Sequence, residues 1–429
     1  MRRFCFLFSL FLSGLAAPLY SQEPAGFPIR IERVMVVGNE KTREEVILRE
    51  IPFRFPDTLS MEDLNSIQNR ITNLFLFNRV ELAIIGEPEH AILLIQVTEF
   101  WYIYPLPLLF INERDWDKIS YGFQLSHRNF RGMNEQLTVG GWFGYNPAFF
   151  LRYYNPWVGR QSRFMVGLNF FGRKVGNKFY DFDERHLGGT ISFGKRLSLH
   201  RYLQASVEVK RIQLPEEFKE YSFSGSGTDL VPKIILEYRH DRRDLFEYPR
   251  KGFLVSWNVA RAGFNQHQPS FWRFSFDHRA YIKPFQRVSL GARNFLMLNY
   301  GELPIYDRVF IGYGERIRGY FDRVFTAQNL MTYNFETRIS ILPVRYLSWN
   351  EAPLFGMFFQ QLKYGLSMGI FMDSGVVWNR REELALNNHF TGYGAGLHFH
   401  LPYIHVLRLD HAWNDRGQGE WIIEVGVVF

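Results

Sequence analysis

The sequence has little cysteine and no long apolar run beyond its N-terminus. Its single cysteine, Cys5, lies inside an apolar N-terminal stretch, so a mature chain without that stretch would hold no disulfide bond and no thiolate site. Further along, no run approaches the about 18 apolar residues that a membrane-spanning helix requires. The formal charge is only +7, with acidic and basic residues interleaved, which does not indicate binding to nucleic acid. A soluble secreted protein and a membrane β-barrel remain.

The N-terminus, MRRFCFLFSLFLSGLAAPLYS, has the pattern of a secretory signal peptide. Arg2 and Arg3 form a basic start, and an apolar core of the expected length follows them. Small residues come next, and cleavage is expected after Ala16 or Ser21. The alternative, an uncleaved membrane anchor, is disfavoured because the apolar run is short for a span. We therefore predict a signal peptide over residues 1–21.

Residues 29–99 have the pattern of a small α/β domain. The run IRIERVMVVG alternates apolar and polar residues, which predicts a strand. Thr42, followed three residues later by Glu45, predicts a capped helix, and a second helix is expected from Met61 to about Leu76. The runs RVELAII and AILLIQVTE predict two closing strands. The order strand, helix, helix, strand, strand also fits a ferredoxin-like binding domain.

From about Trp101 the pattern changes to alternation with a period of two. In KISYGFQLSHR, for example, Ile119 and Tyr121 fall on one face, and small or polar residues fall on the other. The apolar face is rich in aromatic residues, which suits lipid, whereas the polar face suits a wet lumen. Counting such runs gives roughly 16 strands. The predicted fold is therefore mainly β, with the small α/β domain followed by a 16-stranded antiparallel transmembrane β-barrel over residues 101–429.

Both ends of the predicted barrel carry unusual residues. In the first candidate strand, WYIYPLPLLFI, Pro105 and Pro107 are two residues apart, so their missing N–H groups would face the same neighbour and weaken that seam. The alternative is that residues 101–108 are only a linker. The last strand has apolar residues at every second position up to a final aromatic residue, which resembles the sorting signal of outer-membrane barrels. These residues are Trp421, Ile423, Val425, Val427 and Phe429.

Two short charged motifs lie among the barrel strands. The first, ERIRGY, is part of a long predicted loop from Gly301 to Gln328. The second, in GIFMDSGVVW, is an F-x-D-x-G sequence in a predicted strand. The motif residues are Arg318, Gly319 and Tyr320 in the loop, and Phe371, Asp373 and Gly375 in the strand. An exposed loop arginine would contribute almost nothing to stability, so the loop motif is informative only if its arginine has a partner.

These features resemble the BamA superfamily of outer-membrane proteins. VVGNEKTREEVILRE, LFLFNRVEL and the closing VTE are similar to a POTRA domain, the periplasmic module of that family. SHRNFRGMNEQLTVGG, YYNPWVG and DRRDLFEYPRKGF are similar to its barrel. The resemblance implies that Arg318, with Gly319 and Tyr320, folds back into the lumen and pairs with Asp373. A guanidinium group can hold a carboxylate through two parallel hydrogen bonds, and Gly319 permits a tight turn at the tip.

The resemblance also implies a function, which is to help insert or assemble other outer-membrane proteins. The barrel would lie in the outer-membrane lipid bilayer. The POTRA domain would bind unfolded outer-membrane protein clients or periplasmic accessory proteins through its edge strand near Val80–Ile85. No enzyme activity, cofactor, metal or nucleic-acid partner is expected. The sequence shows one POTRA domain, whereas members of the family carry two, three or five. A secretion pore of the two-partner type, gated by the Arg318 loop, is therefore the alternative, and a passive or lipid-moving barrel is a third possibility.

Two patterns that suggest chemistry are disfavoured by their context. GLSMG fits the nucleophile elbow with Ser367 at its centre, but that motif needs a strand-to-helix turn, and here it lies inside an alternating strand. His398 and His400 share a strand face, with His405 and His411 nearby, but no cysteine or carboxylate cluster accompanies them. We therefore expect neither a catalytic serine nor a metal site at these positions.

Overall fold

The structure is a computed structural model of the 429-residue chain. It describes residues 27–87, 90–112, 115–159, 162–177, 180, 182–312, 314–321, 323–349, 360–403 and 405–429. The predicted signal peptide lies outside the described residues. Within them, no helix is long and apolar enough to cross a membrane.

Residues 29–99 form a four-stranded sheet with two helices, and a short strand between the helices adds to the order that the sequence predicts. The elements are β1 (Ile29–Val37), α1 (Glu44–Leu48), β2 (Asp57–Leu59), α2 (Met61–Thr72), β3 (Phe77–Ile85) and β4 (Ala91–Glu99). The sheet order is β2-β1-β4-β3, in which β1 and β4 are parallel and the other pairs are antiparallel. Strand β3 is therefore an edge of this sheet.

Burial of one face of α2 holds this domain together. Leu64, Ile67 and Ile71 lie in one buried cluster with sheet residues such as Leu93 and Ile95. Complete burial of one such side chain contributes about 1.5–3 kcal/mol to folding. The apolar stripe that the sequence predicts is thus the core face of the helix.

The predicted capping box at Thr42 is wrong. Helix α1 begins after Arg43, which makes no side-chain cap. The Thr42 hydroxyl instead lies 2.8 Å from the Tyr102 hydroxyl and accepts a hydrogen bond from Asn129 (2.9 Å), so it joins the α/β domain to the barrel. The Tyr102 hydroxyl also donates to the carbonyl of Leu76 (3.1 Å), and burial raises its pKa well above the ordinary value. Tyr102 therefore stays protonated and keeps this junction bonded.

Residues 103–425 contain sixteen strands that form one antiparallel sheet. They are β5 (Ile103–Ile111), β6 (Ile119–Phe130), β7 (Glu135–Gly144), β8 (Ala148–Val158), β9 (Phe164–Gly176), β10 (Asp183–Arg196), β11 (Arg201–Gln213), β12 (Thr228–Asp241), β13 (Gly252–Ala262), β14 (Phe271–Phe285), β15 (Val288–Gly301), β18 (Asn329–Leu347), β19 (Leu362–Trp378), β20 (Phe390–Leu401), β21 (His405–Asn414) and β22 (Gly419–Val425). Two short strands, β16 (Val309–Ile311) and β17 (Phe325–Ala327), pair within the loop between β15 and β18. The predicted fold class, a 16-stranded antiparallel transmembrane barrel after a small α/β domain, is confirmed.

The sixteen strands begin at β5 and end at β22, and in the described residues no ladder joins these two strands. The alternative that residues 101–108 are only a linker is wrong. Strand β5 pairs with β6 along its whole length, from Ile103 opposite His127 to Ile111 opposite Ile119. Strands β5 and β22 are therefore the two outer edges of the sheet, and we call the break between them the β5–β22 seam.

The α/β domain is bound to the turns at one end of the barrel. The Asn73 amide donates to the carbonyl of Asp244 (2.9 Å) and accepts from the backbone N–H of Phe246 (2.8 Å), both in the turn between β12 and β13. Arg79 donates to the Gln361 side chain (2.7 Å), next to the start of β19. The domain thus lies across the barrel end, in contact with turns far apart in the sequence.

Candidate functional site

The loop between β15 and β18 folds into the barrel. Its tip residues Ile317, Arg318 and Tyr320 are buried, although they belong to a long connection between strands. Ile317 and Tyr320 pack in an apolar cluster with Ile311, and Phe325 lies against that cluster. This packing holds the tip of the loop against the barrel wall.

The Arg318 guanidinium binds the carboxylate of Asp373 on β19 through two hydrogen bonds. Its Nε donates to Oδ2 (2.7 Å) and its Nη2 donates to Oδ1 (2.9 Å). The guanidinium carbon also lies 3.4 Å from the centre of the Phe371 ring. Arg318 is 2% exposed and Asp373 is 0% exposed, so the pair is buried and an exposed loop arginine is ruled out. This is the contact that the family resemblance implies.

Two further carboxylates face the same guanidinium, and the sequence did not point to them. Nη1 of Arg318 donates to Glu336 on β18 (2.7 Å) and lies 3.5 Å from Asp410 on β21. Glu336 also accepts from Arg338 (2.7 Å), and Asp410 accepts from Arg408 (2.7 Å). In each pair the two charges are two residues apart on one strand and therefore share a face. This spacing of two residues between a carboxylate and an arginine is the feature of the sequence that could have identified the two further carboxylates.

The buried cluster is balanced in charge. It holds three arginines and three carboxylates, and its members come from the loop and from β18, β19 and β21. Isolated buried charges are costly, but charges that are paired and hydrogen-bonded can be accommodated. The cluster therefore ties the loop to three strands at once.

The loop tip also binds the last strand. The backbone N–H groups of Gly319 and Phe321 both donate to Oε1 of Glu420 on β22 (2.8 Å each). Arg316 forms an ion pair with Glu424, which lies four residues after Glu420 on β22. Because Glu420 and Glu424 share a face, the loop holds the inner face of β22 at two points.

Glycines make room for the loop tip. Gly319 has φ +100°, a conformation that favours glycine, and a Cβ there would lie 2.8 Å from the carbonyl oxygen of Trp413. A Cβ at Gly392 on β20 would lie 1.7 Å from the carbonyl oxygen of Arg318. In the F-x-D-x-G motif, a Cβ at Gly375 would meet Ile317 at 2.8 Å. Gly375 thus provides space for the loop rather than backbone freedom.

Gly392→Ala is expected to release the loop tip without changing any charge. The new methyl group would overlap backbone of Arg318, which cannot move unless the tip moves. Trypsin cleavage within the loop, followed by mass spectrometry, should become about tenfold faster or more, because proteolysis follows the population of the open form. Gly314→Ala in the same loop is the control, since nothing lies within 4 Å of a Cβ there. Equal protection of both variants would contradict the close contact.

A second anchor holds the start of the loop. Asp307 is buried among Lys233 (3.0 Å), Lys210 (3.6 Å) and Arg273 (3.8 Å). Burial opposes ionisation of Asp307, but the charges of these three cations outweigh it and hold the pKa of Asp307 well below its ordinary value. The loop is therefore fixed by charge at its start as well as at its tip. Nothing local in the sequence marks Asp307 as an anchor, so this contact is not predictable from the chain alone.

The final residues depart from the predicted pattern. Trp421, Ile423 and Val425 are exposed on the outer face, as the alternation predicts, but β22 ends at Val425. The prediction that Phe429 lies on the same face is wrong, because Phe429 is completely buried. Gly426, at φ +92°, redirects the chain.

Phe429 is held inside by the barrel wall. Its ring stacks on Tyr281 with ring centres 6.1 Å apart, and its carbonyl oxygen accepts from Arg338 (3.2 Å). Val427 is half-buried between the strand end and this contact. The alternation of apolar residues thus predicts the outer face of β22 correctly, but it does not predict the positions of residues beyond the end of the strand.

The serine and three of the four histidines that were considered as a nucleophile or as metal ligands contact side chains of the barrel instead. Ser367 lies inside β19, and its hydroxyl is 3.0 Å from Nε2 of His400 on β20. Nδ1 of His398 is 2.8 Å from the Tyr248 hydroxyl, and the rings of His411 and Trp413 pack edge to face. Among the residues described, no group of three or more histidine, cysteine, aspartate or glutamate side chains is arranged to hold a metal ion.

Comparison with known protein families matches both parts of the chain. Residues 129–427 match the family described as the Omp85 superfamily domain, and residues 29–99 match the POTRA family, described as a surface antigen variable number repeat. The outer membrane protein assembly factor BamA of Nitratidesulfovibrio vulgaris is 21% identical over 367 residues, which cover 83% of this chain and 46% of that protein. The chain thus spans about half the length of this curated relative.

Solved structures agree in fold. BamA from Haemophilus ducreyi lacking POTRA domains 1–3 has a TM-score of 0.55 at 13% identity, covering 93% of this chain and 83% of that chain. CdiB from Escherichia coli has a TM-score of 0.58 at 12% identity, covering 93% of this chain and 77% of that chain. The POTRA and barrel predictions are therefore confirmed, and with an Omp85 match over well more than half of its length, this chain belongs to the Omp85 superfamily.

Proposed function

We propose that this protein inserts or assembles other β-barrel proteins in the bacterial outer membrane, with its POTRA domain in the periplasm. The observation that carries the proposal is the β5–β22 seam, an unjoined pair of strand edges in an otherwise continuous antiparallel sheet. A relative of this chain is named as an outer membrane protein assembly factor, which agrees with the proposal. No covalent chemistry is part of it.

The seam can provide hydrogen-bond partners for the backbone of an entering client strand. An entering strand carries backbone N–H and C=O groups, and each such group left unpaired in hydrocarbon costs several kcal/mol. A strand edge can pair with those groups by β-augmentation before the client closes its own sheet. The protein would thus lower the barrier to insertion by templating hydrogen bonds, while Arg318 and Asp373 brace the barrel as the seam opens.

The POTRA domain would receive clients or accessory proteins in the same way. Strand β3 is an edge of its sheet, which fits the predicted contact near Val80–Ile85. The start of β3 is occupied, because Asn78 and Arg79 bind the barrel turn at residues 360–361 and Gln68 donates to the carbonyl of Val80 (2.7 Å). The part of the edge that remains for a partner is therefore its end, where Ile85 is exposed.

The alternative function is a secretion pore of the two-partner type, with the Arg318 loop as its gate. Two observations disfavour free passage through the barrel. The loop tip is tied to four strands inside it, and the POTRA domain lies across one end. Both would have to move before a chain could thread the lumen.

Client folding in liposomes separates these functions. A small outer-membrane barrel is added unfolded to liposomes with and without this protein, and folding is followed by heat-modifiable mobility on a gel. We expect clearly faster folding with the protein and only a small conductance in planar bilayers. No acceleration, together with a large conductance that the loop gates, would contradict the insertion function and favour the pore.

A further inference from the structure

Three basic side chains lie together on the outer face of the barrel, each two residues from the end of its strand. They are Lys174 on β9, Arg185 on β10 and Arg211 on β11. Arg185 shares a strand face with the exposed Leu187, and the ladders place Lys174 opposite Arg185 and Arg211 opposite Leu187. All three side chains therefore lie on the outer face of the sheet. We call them the outer basic cluster.

The outer basic cluster lies at the end of the barrel away from the POTRA domain. That domain binds the turn between β12 and β13. The strands are antiparallel, so the connections alternate between the two ends, and those after β9 and β11 lie at the same end as the Arg318 loop. With the POTRA domain in the periplasm, as proposed above, the outer basic cluster faces the outer leaflet of the membrane.

The same strands are apolar just below the outer basic cluster. Leu151, Phe170 and Val209 lie on the outer face, and each is 44–48% exposed. Phe170 is four residues before Lys174 on β9, which corresponds to about 13 Å along the strand. The cluster thus begins where the apolar belt ends, at the level expected for lipid headgroups.

A groove of about 700 Å³ joins the outer basic cluster to this apolar surface. The three cations line it together with outer-face residues that include Phe143, Phe149, Gly172 and Leu187. Gly172 lies opposite Phe149, and a Cβ there would meet the Phe149 ring at 2.3 Å, so the glycine gives this ring its place. An apolar groove with cations along it fits a ligand that has an aliphatic chain and an anionic head.

The outer basic cluster has an excess of positive charge. Lys174 and Arg185 are directly opposite each other, where the Cβ atoms of a cross-strand pair are about 5 Å apart and like charges destabilise the sheet. Lys174 forms an ion pair with Asp183 (2.6 Å). Within the residues that the structure describes, Arg185 and Arg211 make no hydrogen bond or ion pair, and both are exposed. An anion between them would remove this repulsion.

Another outward arginine at the same end of the barrel shows the contrast. Arg261, near the end of β13, donates to the Ser270 hydroxyl (2.8 Å) and lies over the Trp272 ring (5.5 Å). Its side chain is thus held by the protein itself. The cations of the outer basic cluster converge on one groove instead, and two of them keep their hydrogen-bond donors available for a ligand.

We propose that the outer basic cluster and its groove bind a phosphorylated lipid of the outer leaflet. The guanidinium groups of Arg185 and Arg211 hold phosphate oxygens, which their planar donors match in geometry, and Lys174 adds a third positive charge. One acyl chain lies in the groove along Phe149 and Leu187. The proposal rests on the periplasmic position of the POTRA domain only for the choice of leaflet, and it does not depend on client insertion.

Native mass spectrometry of the purified protein with lipid A, a glycolipid that carries two phosphates, tests the proposal. The variant Arg185→Gln/Arg211→Gln removes two charges from exposed positions. The matched control is Lys195→Gln/Arg201→Gln, which removes two exposed charges from the other ends of the same two strands. We expect the first variant to bind lipid A about tenfold more weakly or worse than the wild-type protein. The control should stay within about twofold of the wild-type protein.

The result that overturns the proposal is equal binding of lipid A by the wild-type protein and the Arg185→Gln/Arg211→Gln variant. An equal loss in the control would also overturn it, because the effect would then follow net charge alone. Inorganic phosphate in excess should leave lipid binding unchanged, and displacement of the lipid by phosphate would show that the cluster holds a free anion. Heat-modifiable mobility confirms that each variant is folded. No client is present, so failure of the insertion function would leave this result unaffected.

Discussion

Arg318→Ala is expected to free the loop and to remove most of the acceleration of client folding. The change leaves the buried carboxylates of Asp373 and Glu336 without the cation that joins them. Removing one partner of a buried ion pair costs about 3–5 kcal/mol, which corresponds to a factor of a hundred or more in the docking of the loop. Without the docked tip, β22 also loses the two N–H groups that bind Glu420.

The measurement combines two readouts on the same samples. Tryptic cleavage in the loop should increase about a hundredfold, and client folding in liposomes should fall to near the rate of empty liposomes. Arg318→Lys is the informative control. It keeps the charge and loses the planar fork that holds both oxygens of Asp373, so an intermediate effect is expected. Wild-type protection and activity in Arg318→Ala would show that the loop is held by its apolar contacts alone.

Asp307→Asn is expected to destabilise the loop from its other end. The amide keeps the shape of the carboxylate and removes its charge, so Lys210, Lys233 and Arg273 would face one another without an anion between them. We expect a loss of about 3–5 kcal/mol in the free energy of unfolding, by analogy with other broken buried ion pairs.

A surface pair provides the matched control for this change. Asp115 lies 3.9 Å from Lys118, and both side chains are partly exposed, so Asp115→Asn should change stability by no more than about 1 kcal/mol. Unfolding in denaturant, followed by the loss of heat-modifiable mobility, compares the two variants. Equal midpoints would contradict the assignment of Asp307 as an anchor.

The fold could be predicted because a barrel wall has two opposite environments. Lipid on one side and the lumen on the other impose a period of two that is visible in each strand, as in the Ile119–Phe130 segment. The linker alternative for residues 101–108 was overturned because β5 makes its ladder with the groups that face β6. Its prolines face the other way, so they cost that ladder nothing.

The site was only partly predictable. The motif around Arg318 and Asp373 can be read from the chain, but Glu336 and Asp410 become its partners only when distant strands converge on the loop tip. Their spacing from Arg338 and Arg408 indicates a shared strand face and does not say what lies opposite. Phe429 shows that a correct sequence pattern can also give a wrong position. Its position fits the alternation, but one glycine at a positive φ turns the backbone inward before that position is reached.

The proposed function requires that the β5–β22 seam open during client insertion. A cleavable bifunctional reagent that links Leu109→Cys to Ile423→Cys, in the Cys5→Ser background, tests this directly in the client-folding assay. Each single-cysteine protein treated with the same reagent serves as the control. We expect that linking the two strands abolishes the acceleration and that cleaving the linker restores it. If the linked protein accelerates client folding as fast as the unlinked protein, the seam is not the site of insertion.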